Sequence, residues 1–492
     1  MISTHLPALQ VVIPLLSAPI CVILRRGYPS WLLSLFVSWL SFAISVNLLR
    51  QVLANGPISY LLGGWAAPWG IEYKVDILSA FVLLLVSGIG AVIMLFAPQS
   101  VESEIAKDRI SLFYTMYLLT FAGLLGIAIT GDAFNLFVFL EISSLSTYVL
   151  VSLGTSKRAM TAAFRYLILG TVGATFYVIG VGLMYQMTGT LNIADLAERL
   201  PAVAETRTIL IALAFLTIGI GLKAGLFPLH IWLPNAYCFA PSVVTSFLAA
   251  TATKVAVYVL LRVYFTVFGI ETIKMMAVEE LLLAIGLIAI VLMSTVAIYQ
   301  NDAKRLLAYS SVAQIGYMVI GISMFTVNGL TATLIHLFNH ALMKAALFLA
   351  LASIYYRIKS VNIQDMAGLG KAMPFSMAAF LIGGFSLIGI PLTVGFVSKW
   401  YLIVAALENG WWPVAVLILF SSLLAVIYIW KIVEVTYLKP RKDGAQKISE
   451  SPLAMLIPIW VLVCANIYFG IDTDLTVSVA EAISQALIGG KP

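Results

Sequence analysis

The feature that most constrains this chain is a succession of apolar stretches, each about 20 residues long, joined by short polar connections. One such stretch spans the hydrocarbon core of a bilayer as a helix. Hydrophobic residues make up 62% of the 492 residues and charged residues 10%, whereas soluble domains carry about a quarter charged residues. We therefore predict an all-α polytopic membrane protein. Its predicted spans, about fourteen and numbered in chain order, are 5–24, 31–53, 77–99, 110–130, 133–154, 163–187, 208–227, 242–267, 278–299, 304–324, 328–355, 374–404, 411–437 and 453–471.

Two of these spans contain proline at a place where the helix should be interrupted. In the seventh span, KAGLFPLHIWLP places Pro228 and Pro234 around a short second piece, and in the twelfth span GIPLTVGF places Pro391 near the middle. Proline removes a backbone donor and clashes with the preceding turn. Both spans are therefore predicted to be broken or kinked.

The two broken spans divide the chain into comparable parts. They occupy similar places in two successive stretches of about five helices, 110–267 and 278–437, which indicates a pair of inverted repeats. Residues 1–109 form three N-terminal helices with an outer loop or hairpin at 58–76. Residues 438–492 hold the last helix and the C-terminus.

The orientation follows from basic residues, which prefer cytoplasmic loops. Connections on the predicted inner side carry Arg25, Arg26, Lys107, Arg109, Lys157, Arg158, Arg165, Lys304, Arg305, Arg357, Lys359, Lys371, Lys439, Arg441, Lys442 and Lys447. The other side has only Arg50, Lys74, Arg199, Arg207, Arg262, Lys274 and Lys491. This bias predicts both termini on the outer side. Because the basic residues lie on short loops rather than on a domain, we expect no nucleic-acid binding.

Several ionisable residues lie inside the predicted spans. A charge at mid-membrane costs about 2.5–3.5 kcal/mol on an insertion scale, so a partner, water or a change of protonation must offset it. One interpretation is that these residues form structural pairs between helices, and Lys431 with Glu434 can pair locally because they are three residues apart. The full set is Glu141, Lys223, Lys254, Lys344, Lys399, Lys431 and Glu434.

Glu141 and Lys223 are the most suggestive members of this set. Glu141 lies in the apolar stretch FNLFVFLEISSL and needs a nearby cation to stay ionised. Lys223 is the candidate cation because it directly precedes the break of the seventh span, where water and free carbonyls are available. Lys254 follows one span later, and Lys399 follows the proline break of the twelfth span.

The stretch HLFNHALMK places His336, His340 and Lys344 on one helix face, about 40° apart in succession. Histidine changes charge near neutral pH. Together with the other intramembrane groups, these residues indicate a pathway for protons rather than a single catalytic site. Two alternatives remain open: HxxxH can hold zinc if a third ligand is present, and His336 can be a core histidine bonded to a carbonyl. We expect neither a metal nor a cofactor.

Four stretches carry a resemblance to a known family: GDAFNLFVFLEISSLSTYVLV, KAGLFPLHIWLPNAY, NDAKRLLAYSSVAQIGYM and HLFNHALMKAALFL. They resemble the antiporter-like subunits of respiratory complex I and of Mrp-type multisubunit cation/proton antiporters, and most of all the D-type members of the Mrp group. The resemblance implies fourteen helices, two inverted five-helix repeats and discontinuous seventh and twelfth helices. It also implies a Glu141–Lys223 pair followed by Lys254, His336, His340, Lys344 and Lys399.

The leading hypothesis is therefore a proton-translocating subunit of a multisubunit sodium/proton antiporter in a bacterial inner membrane, surrounded by other membrane subunits and lipid. Sodium is expected to act on this chain only indirectly, if at all. The alternative is a proton-pumping subunit of complex I or of a membrane-bound hydrogenase. A third hypothesis, a scaffold subunit, is disfavoured because scaffolds lose their intramembrane charges. In the first and third cases the chain is not an enzyme.

Overall fold

A computed structural model describes residues 2–441 and 448–489 of the chain. Lys442, Lys447 and Lys491, which were counted among the basic loop residues, lie outside the described residues. In the described part, 13 helices are long and apolar enough to cross a membrane, and the pair α17–α18 defined below adds the twelfth span in two pieces. The predicted all-α membrane fold is confirmed.

The first half of the chain runs from α1 to α12. Its elements are α1 (Leu6–Leu24), α2 (Gly27–Asn55), β1 (Ile58–Leu61), β2 (Glu72–Val75), α3 (Ile77–Glu104), α4 (Ile110–Ile129), α5 (Ala133–Ser152), α6 (Lys157–Thr188), α7 (Ile193–Arg199), α8 (Arg207–Ala224), α9 (Trp232–Phe239), α10 (Ser242–Ala250), α11 (Ala252–Leu261) and α12 (Ile270–Met275). A π-helical turn, Arg262–Phe268, extends α11 toward the loop that precedes α12.

The second half runs from α13 to α21. Its helices are α13 (Val278–Ile298), α14 (Ala303–Ser323), α15 (Val327–Ile358), α16 (Leu369–Ala372), α17 (Pro374–Ile388), α18 (Val394–Glu408), α19 (Trp412–Val433), α20 (Leu453–Ile471) and α21 (Asp474–Ile488). Helix α15 lies at the centre of this half and packs against α10, α14, α17, α18, α20 and α21. Helix α21 was not predicted from the sequence.

Residues 58–76, which the sequence assigns to the outer side, form the predicted hairpin. Strands β1 and β2 pair antiparallel, with Ile58 opposite Val75 and Leu61 opposite Glu72. Tyr73 also makes a bridge to Thr130, in the turn between α4 and α5. We call this side of the molecule the hairpin face.

Both proline breaks are confirmed. Helix α8 ends at Ala224, Gly225 adopts a left-handed conformation with φ +69°, and Pro228 lies in the break before α9. Such a conformation is easy for glycine and costly for most other residues. Pro234 lies within the first turn of α9 rather than in the break.

The second break separates α17 from α18. Gly389 follows the end of α17 with φ +93°, and Pro391 lies in the segment before α18 begins. The chain therefore exposes free helix-end carbonyls inside the membrane, at Leu387 and Ile388.

A third break, which was not predicted, lies between α10 and α11. Thr251 leaves helical geometry with φ −123° and ψ −57°, although neither glycine nor proline is nearby. The Ala249 carbonyl just before it accepts a hydrogen bond from Lys254 Nζ. The break therefore places a main-chain acceptor next to a buried lysine.

The repeat appears in the main chain as two matching turns. Asp132 caps α5 and forms a bridge with Asn192, and Asp302 caps α14 and forms the same bridge with Asn362. Between these turns the chain crosses the membrane with α5, α6, α8, α10–α11 and α13, which is an odd number. The two turns therefore lie on opposite faces, as an inverted repeat requires.

Close packing at the second break gives the first prediction. A Cβ added to Gly395 of α18 would lie 1.7 Å from the Ser386 carbonyl oxygen of α17. We expect Gly395→Ala to lower the free energy of unfolding by about 1–3 kcal/mol, because the backbone of α17 must shift. The measurement is the thermal midpoint of the purified protein in detergent. As the control, Gly182→Ala in α6 meets no atom within 4 Å and should leave the midpoint unchanged or slightly raised. Equal effects at both positions would contradict this interpretation.

Candidate functional site

The predicted pair of Glu141 and Lys223 is present. Lys223 Nζ lies 3.4 Å from Glu141 Oε1, and it donates to Ser144 Oγ at 2.6 Å and to Tyr148 Oη at 3.5 Å. Three residues of α5 therefore hold the ammonium group that α8 presents just before its break. The Lys223 side chain is 7% exposed and the Glu141 side chain 22% exposed, so the carboxylate is the more accessible partner.

Glu141 lies on the outward face of α5. The other exposed positions of that face are apolar, namely Phe134, Val138, Leu145 and Val149. A carboxylate within an apolar face of a membrane helix is costly toward lipid. The face is therefore suited to contact another membrane protein.

Lys254 is fully buried in α11. Its Nζ donates to the Ala249 carbonyl at the unpredicted helix break and lies 3.4 Å from Thr253 Oγ1. The break is what supplies this acceptor, since a carbonyl inside a regular helix is already bonded to an amide.

Lys344 and Lys399 also donate to main-chain carbonyls, Lys344 to one inside α14 and Lys399 to two at the end of α17. Lys344 Nζ donates to the Leu307 carbonyl at 2.8 Å and to Ser310 Oγ, both in α14. Lys399 Nζ donates to Leu387 O at 3.0 Å, to Ile388 O at 2.8 Å and to Ser422 Oγ at 3.0 Å. Leu387 and Ile388 end α17, so the proline break supplies the acceptors for Lys399.

His336 and His340 stack on each other with ring centroids 5.9 Å apart. His336 Nδ1 lies 2.8 Å from Ser398 Oγ, so its partner is a hydroxyl rather than a carbonyl. Neither ring nitrogen of His340 has a hydrogen-bond partner among the described residues. Buried polar atoms are usually paired, so this histidine requires an explanation other than packing.

These side chains form two groups. The charges of Lys254, Lys344 and His336 act on His340, and those of Lys254 and Lys399 act on His336, so the five residues form one electrostatic cluster. The other group is Glu141 with Lys223. A cavity of about 10 Å³, close to the size of one water, lies beside Lys223 and is also lined by the α11 residues Ala256 and Val259. The rest of its lining is mostly apolar.

Comparison with known proteins identifies the family. Residues 130–425 match the family described as NADH:quinone oxidoreductase/Mrp antiporter, TM. The chain belongs to this family. Its relatives include the N subunit of NADH-quinone oxidoreductase from Desulforudis audaxviator, 39% identical over 97% of both chains. Another is the D subunit of the Na(+)/H(+) antiporter from Alkalihalophilus pseudofirmus, 32% identical over 88% of this chain and 86% of the relative.

The fold of this antiporter-family chain also matches a solved complex. A chain in the structure of the Mrp complex from Dietzia sp. DQ12-45-1b superposes with a TM-score of 0.91 at 26% identity, covering 100% of this chain and 98% of that one. The similarity therefore extends beyond the matched 130–425 region to the N-terminal helices and to α20 and α21.

One expectation for this family member is wrong. Lys431 does not pair with Glu434; it donates to the carbonyl of Ile298, the last residue of α13, at 3.0 Å and to the Gln300 carbonyl just after it at 2.8 Å. Glu434 instead lies 3.7 Å from Lys439 Nζ. The free carbonyls at the C-terminal end of α13 favour a nearby ammonium group. Lys431 binds them instead of forming a local ion pair with Glu434.

A second buried ion pair was not predicted from the sequence. Arg262, assigned to the outer side, is 8% exposed, and its guanidinium binds the Asp76 carboxylate through both terminal nitrogens. Burial opposes ionisation of Asp76, but the Arg262 charge holds the pKa of that carboxyl below its ordinary value. The sequence held one signal that Arg262 belongs to a helix rather than to a loop. Arg262 follows Lys254 by eight residues, so it continues the same helix face.

Proposed function

We propose that this chain is the proton-translocating membrane subunit of a multisubunit antiporter that exchanges monovalent cations, sodium in particular, for protons. One observation carries the proposal: Lys254, Lys344 and Lys399 are buried in the membrane region, and in the part of the chain that the structure describes no carboxylate pairs with them. An unpaired buried ammonium is costly, so such side chains suit reversible protonation rather than structural pairing.

In the proposed mechanism the Glu141–Lys223 pair is the switch. When a neighbouring subunit attracts Glu141 at the outward face of α5, Lys223 loses its counter-charge and passes a proton toward Lys254. Breaking a buried pair costs about 3–5 kcal/mol, and a membrane potential supplies about 2.3 kcal/mol per charge for each 100 mV. The two energies are comparable, so the electrochemical gradient can drive the switch.

The remaining groups relay the proton in this proposal. From Lys254 the proton passes along the face of α15 that carries Lys344, His340 and His336, and it leaves near Lys399 at the second break. The single-water cavity beside Lys223 is the proposed link between the pair and the cluster. The two prolines, Pro228 and Pro391, maintain the breaks that hold Lys223 and Lys399 next to open turns.

The proposed setting is the inner membrane of a bacterium, with both termini on the outer side. The support is the excess of basic residues on the connections opposite the hairpin face. Other membrane subunits are proposed to cover Glu141 and the apolar residues around it. The Mrp structure that this chain matches is a complex of several subunits, which supports a partner at such a face.

A second candidate function is proton pumping within a redox-driven membrane complex. The observation that favours it is the 39% identity, over nearly the whole chain, to the N subunit of an NADH-quinone oxidoreductase. The Glu141–Lys223 pair and the buried cluster would serve either complex, because in both the energy source lies in partner subunits. The subunits that co-purify with the chain distinguish the two candidates.

The experiment is a transport assay in vesicles that contain the complete complex. Antiport predicts that an imposed pH gradient collapses on addition of Na⁺, and that Glu141→Gln abolishes this response. A gradient that instead forms when an electron donor is added, without a Na⁺ requirement, would support the second candidate. If neither Na⁺ nor electron donors move protons, both proposals fail.

A further inference from the structure

A cavity of about 860 Å³ lies at the hairpin face, at the ends of the membrane spans. Its wall includes Val52 near the end of α2, Ile77 at the start of α3 and Thr130 directly after α4. The amphipathic helix α21, which follows the last span, contributes Ile483 and Leu487. Amphipathic helices of this kind lie at the level of the lipid headgroups. The cavity is therefore placed where a headgroup meets its acyl chains, and its volume is typical of ligand sites, which hold about 300–1,000 Å³.

Most of the cavity wall is apolar. The π turn after α11 supplies Phe265, Val267 and Phe268, and all three side chains are buried. Ile193 and Ala197 of α7 extend the same wall. Such a surface favours an apolar ligand, because contact with it removes both surfaces from water. The wall thus suits the upper part of an acyl chain.

Three of the ionisable groups in the wall are already paired within the chain. Asp76 and Arg262 neutralise each other, and Arg262 Nη1 lies 2.6 Å from Asp76 Oδ2. Both carboxylate oxygens of Glu72 accept hydrogen bonds, one from Ser59 Oγ at 2.6 Å and one from Asn192 Nδ2 at 3.0 Å. These three groups are therefore not available to bind the charged part of a ligand.

The other three ionisable groups in the wall are available. Lys74 lies on strand β2, Glu198 on α7 and Glu271 in the first turn of α12. None of them forms an ion pair within the part of the chain that the structure describes. The cavity therefore presents two carboxylates and one ammonium group beside an apolar wall. This combination is complementary to a ligand that carries a cation and an anion on an apolar body.

We propose that this cavity binds a phospholipid with an ethanolamine headgroup, taken from the leaflet at the hairpin face. Its ammonium group binds Glu198 and Glu271, and its phosphate binds Lys74. The first part of an acyl chain lies against Phe265 and Val267. This inference goes beyond the proposed function, because lipid binding does not depend on proton translocation.

The charges of the cavity favour this headgroup over the other common ones. Sites for anionic lipids are clusters of lysine and arginine, whereas here the carboxylates outnumber the one unpaired lysine. A primary ammonium group can donate three hydrogen bonds to carboxylates. The quaternary ammonium group of a choline lipid has no hydrogen to donate. Selection of ethanolamine over glycerol and choline headgroups is therefore expected.

The first test locates the lipid on the chain. A phosphatidylethanolamine with a photoreactive diazirine near the top of one acyl chain is added to vesicles that contain the complete complex. Mass spectrometry after irradiation maps the attachment, which we expect within Arg262–Phe268 and α21. Unlabelled phosphatidylethanolamine should remove most of this labelling, whereas phosphatidylglycerol and phosphatidylcholine should leave most of it. Attachment only at other places, or equal competition by all three lipids, would overturn the proposal.

The second test removes the two carboxylates. The double variant Glu198→Gln, Glu271→Gln should lower the labelling at least about tenfold, because hydrogen bonds between charged groups are lost. Both side chains are exposed, so the variant should still assemble. Glu205→Gln is the matched control, since Glu205 is exposed in the connection between α7 and α8 and does not line the cavity. Unchanged labelling in the double variant, or an equal loss in the control, would contradict the assignment of the headgroup.

The third test fills the cavity. Ala197→Trp places an indole on its wall and should remove most of the labelling. In the control, Ala202→Trp, the residue is exposed shortly after α7 and does not line the cavity, so labelling should persist. If the unmodified chain is not labelled at the cavity and Ala197→Trp releases another subunit, the cavity is a protein interface and the proposal is wrong. Labelling is measured without transport, so a failure here leaves the proposed function untouched.

Discussion

Replacing Lys223 with alanine is expected to reduce proton movement about a hundredfold or more, while the chain still assembles with its partners. The reason is that the substitution removes one member of a pair whose disruption is worth about 3–5 kcal/mol. Glu141, with 22% of its side chain exposed, can take up a proton or contact a partner once the ammonium is gone, so folding should survive. The measurement is Na⁺-dependent collapse of a pH gradient in vesicles, with co-purification of the partner subunits as the assembly readout.

Lys431→Ala is the matched control for that experiment. Lys431 is also a lysine of a predicted span that is bonded to main-chain carbonyls, but its partners lie at the C-terminal end of α13, outside the proposed proton pathway. We expect this variant to lose some thermal stability and to keep its transport. Normal antiport by Lys223→Ala would rule out the switch, and equal loss in both variants would show that any missing lysine disables the protein.

Replacing His340 with leucine is expected to reduce transport without reducing thermal stability. Both ring nitrogens are buried without a partner in the described chain, and such atoms cost about 1–3 kcal/mol. A leucine of similar volume should therefore raise the thermal midpoint or leave it unchanged. Transport should fall at least about tenfold, because the ring that connects Lys254 with Lys344 can no longer carry a proton.

Thr331→Val tests whether the gain in stability is general. The Thr331 hydroxyl lies on the same helix, α15, and is likewise buried without a partner among the described residues. This near-isosteric change should stabilise the protein and leave transport intact. If His340→Leu transports normally, His340 is not part of the relay, whatever its effect on the thermal midpoint.

Much of the fold was predictable because its signals are local. Runs of apolar residues locate the spans, and Pro228 and Pro391 locate two breaks. The Glu141–Lys223 pair could also be predicted, because a lone carboxylate in an apolar stretch requires a cation.

The features that escaped prediction depend on tertiary contacts. The break at Thr251 has no glycine or proline to mark it; the bond from Lys254 to Ala249 accompanies it. The Arg262–Asp76 pair joins residues that are distant in sequence. Each of them lies near the end of a predicted span, where a charged side chain can be solvated without a partner. Helix α21 is amphipathic and packs on α15 and α3, so hydropathy alone did not distinguish it from a polar tail.

The carbonyl groups that bind Lys254, Lys344 and Lys399 limit which groups can accept a proton from these lysines. A carboxylate beside an amine can accept the proton that the amine releases, and the proton then stays within the pair. An amide oxygen is far too weak a base to do so. In the proposed relay, each proton released by one of these amines is therefore taken up by another amine, an imidazole or the solvent.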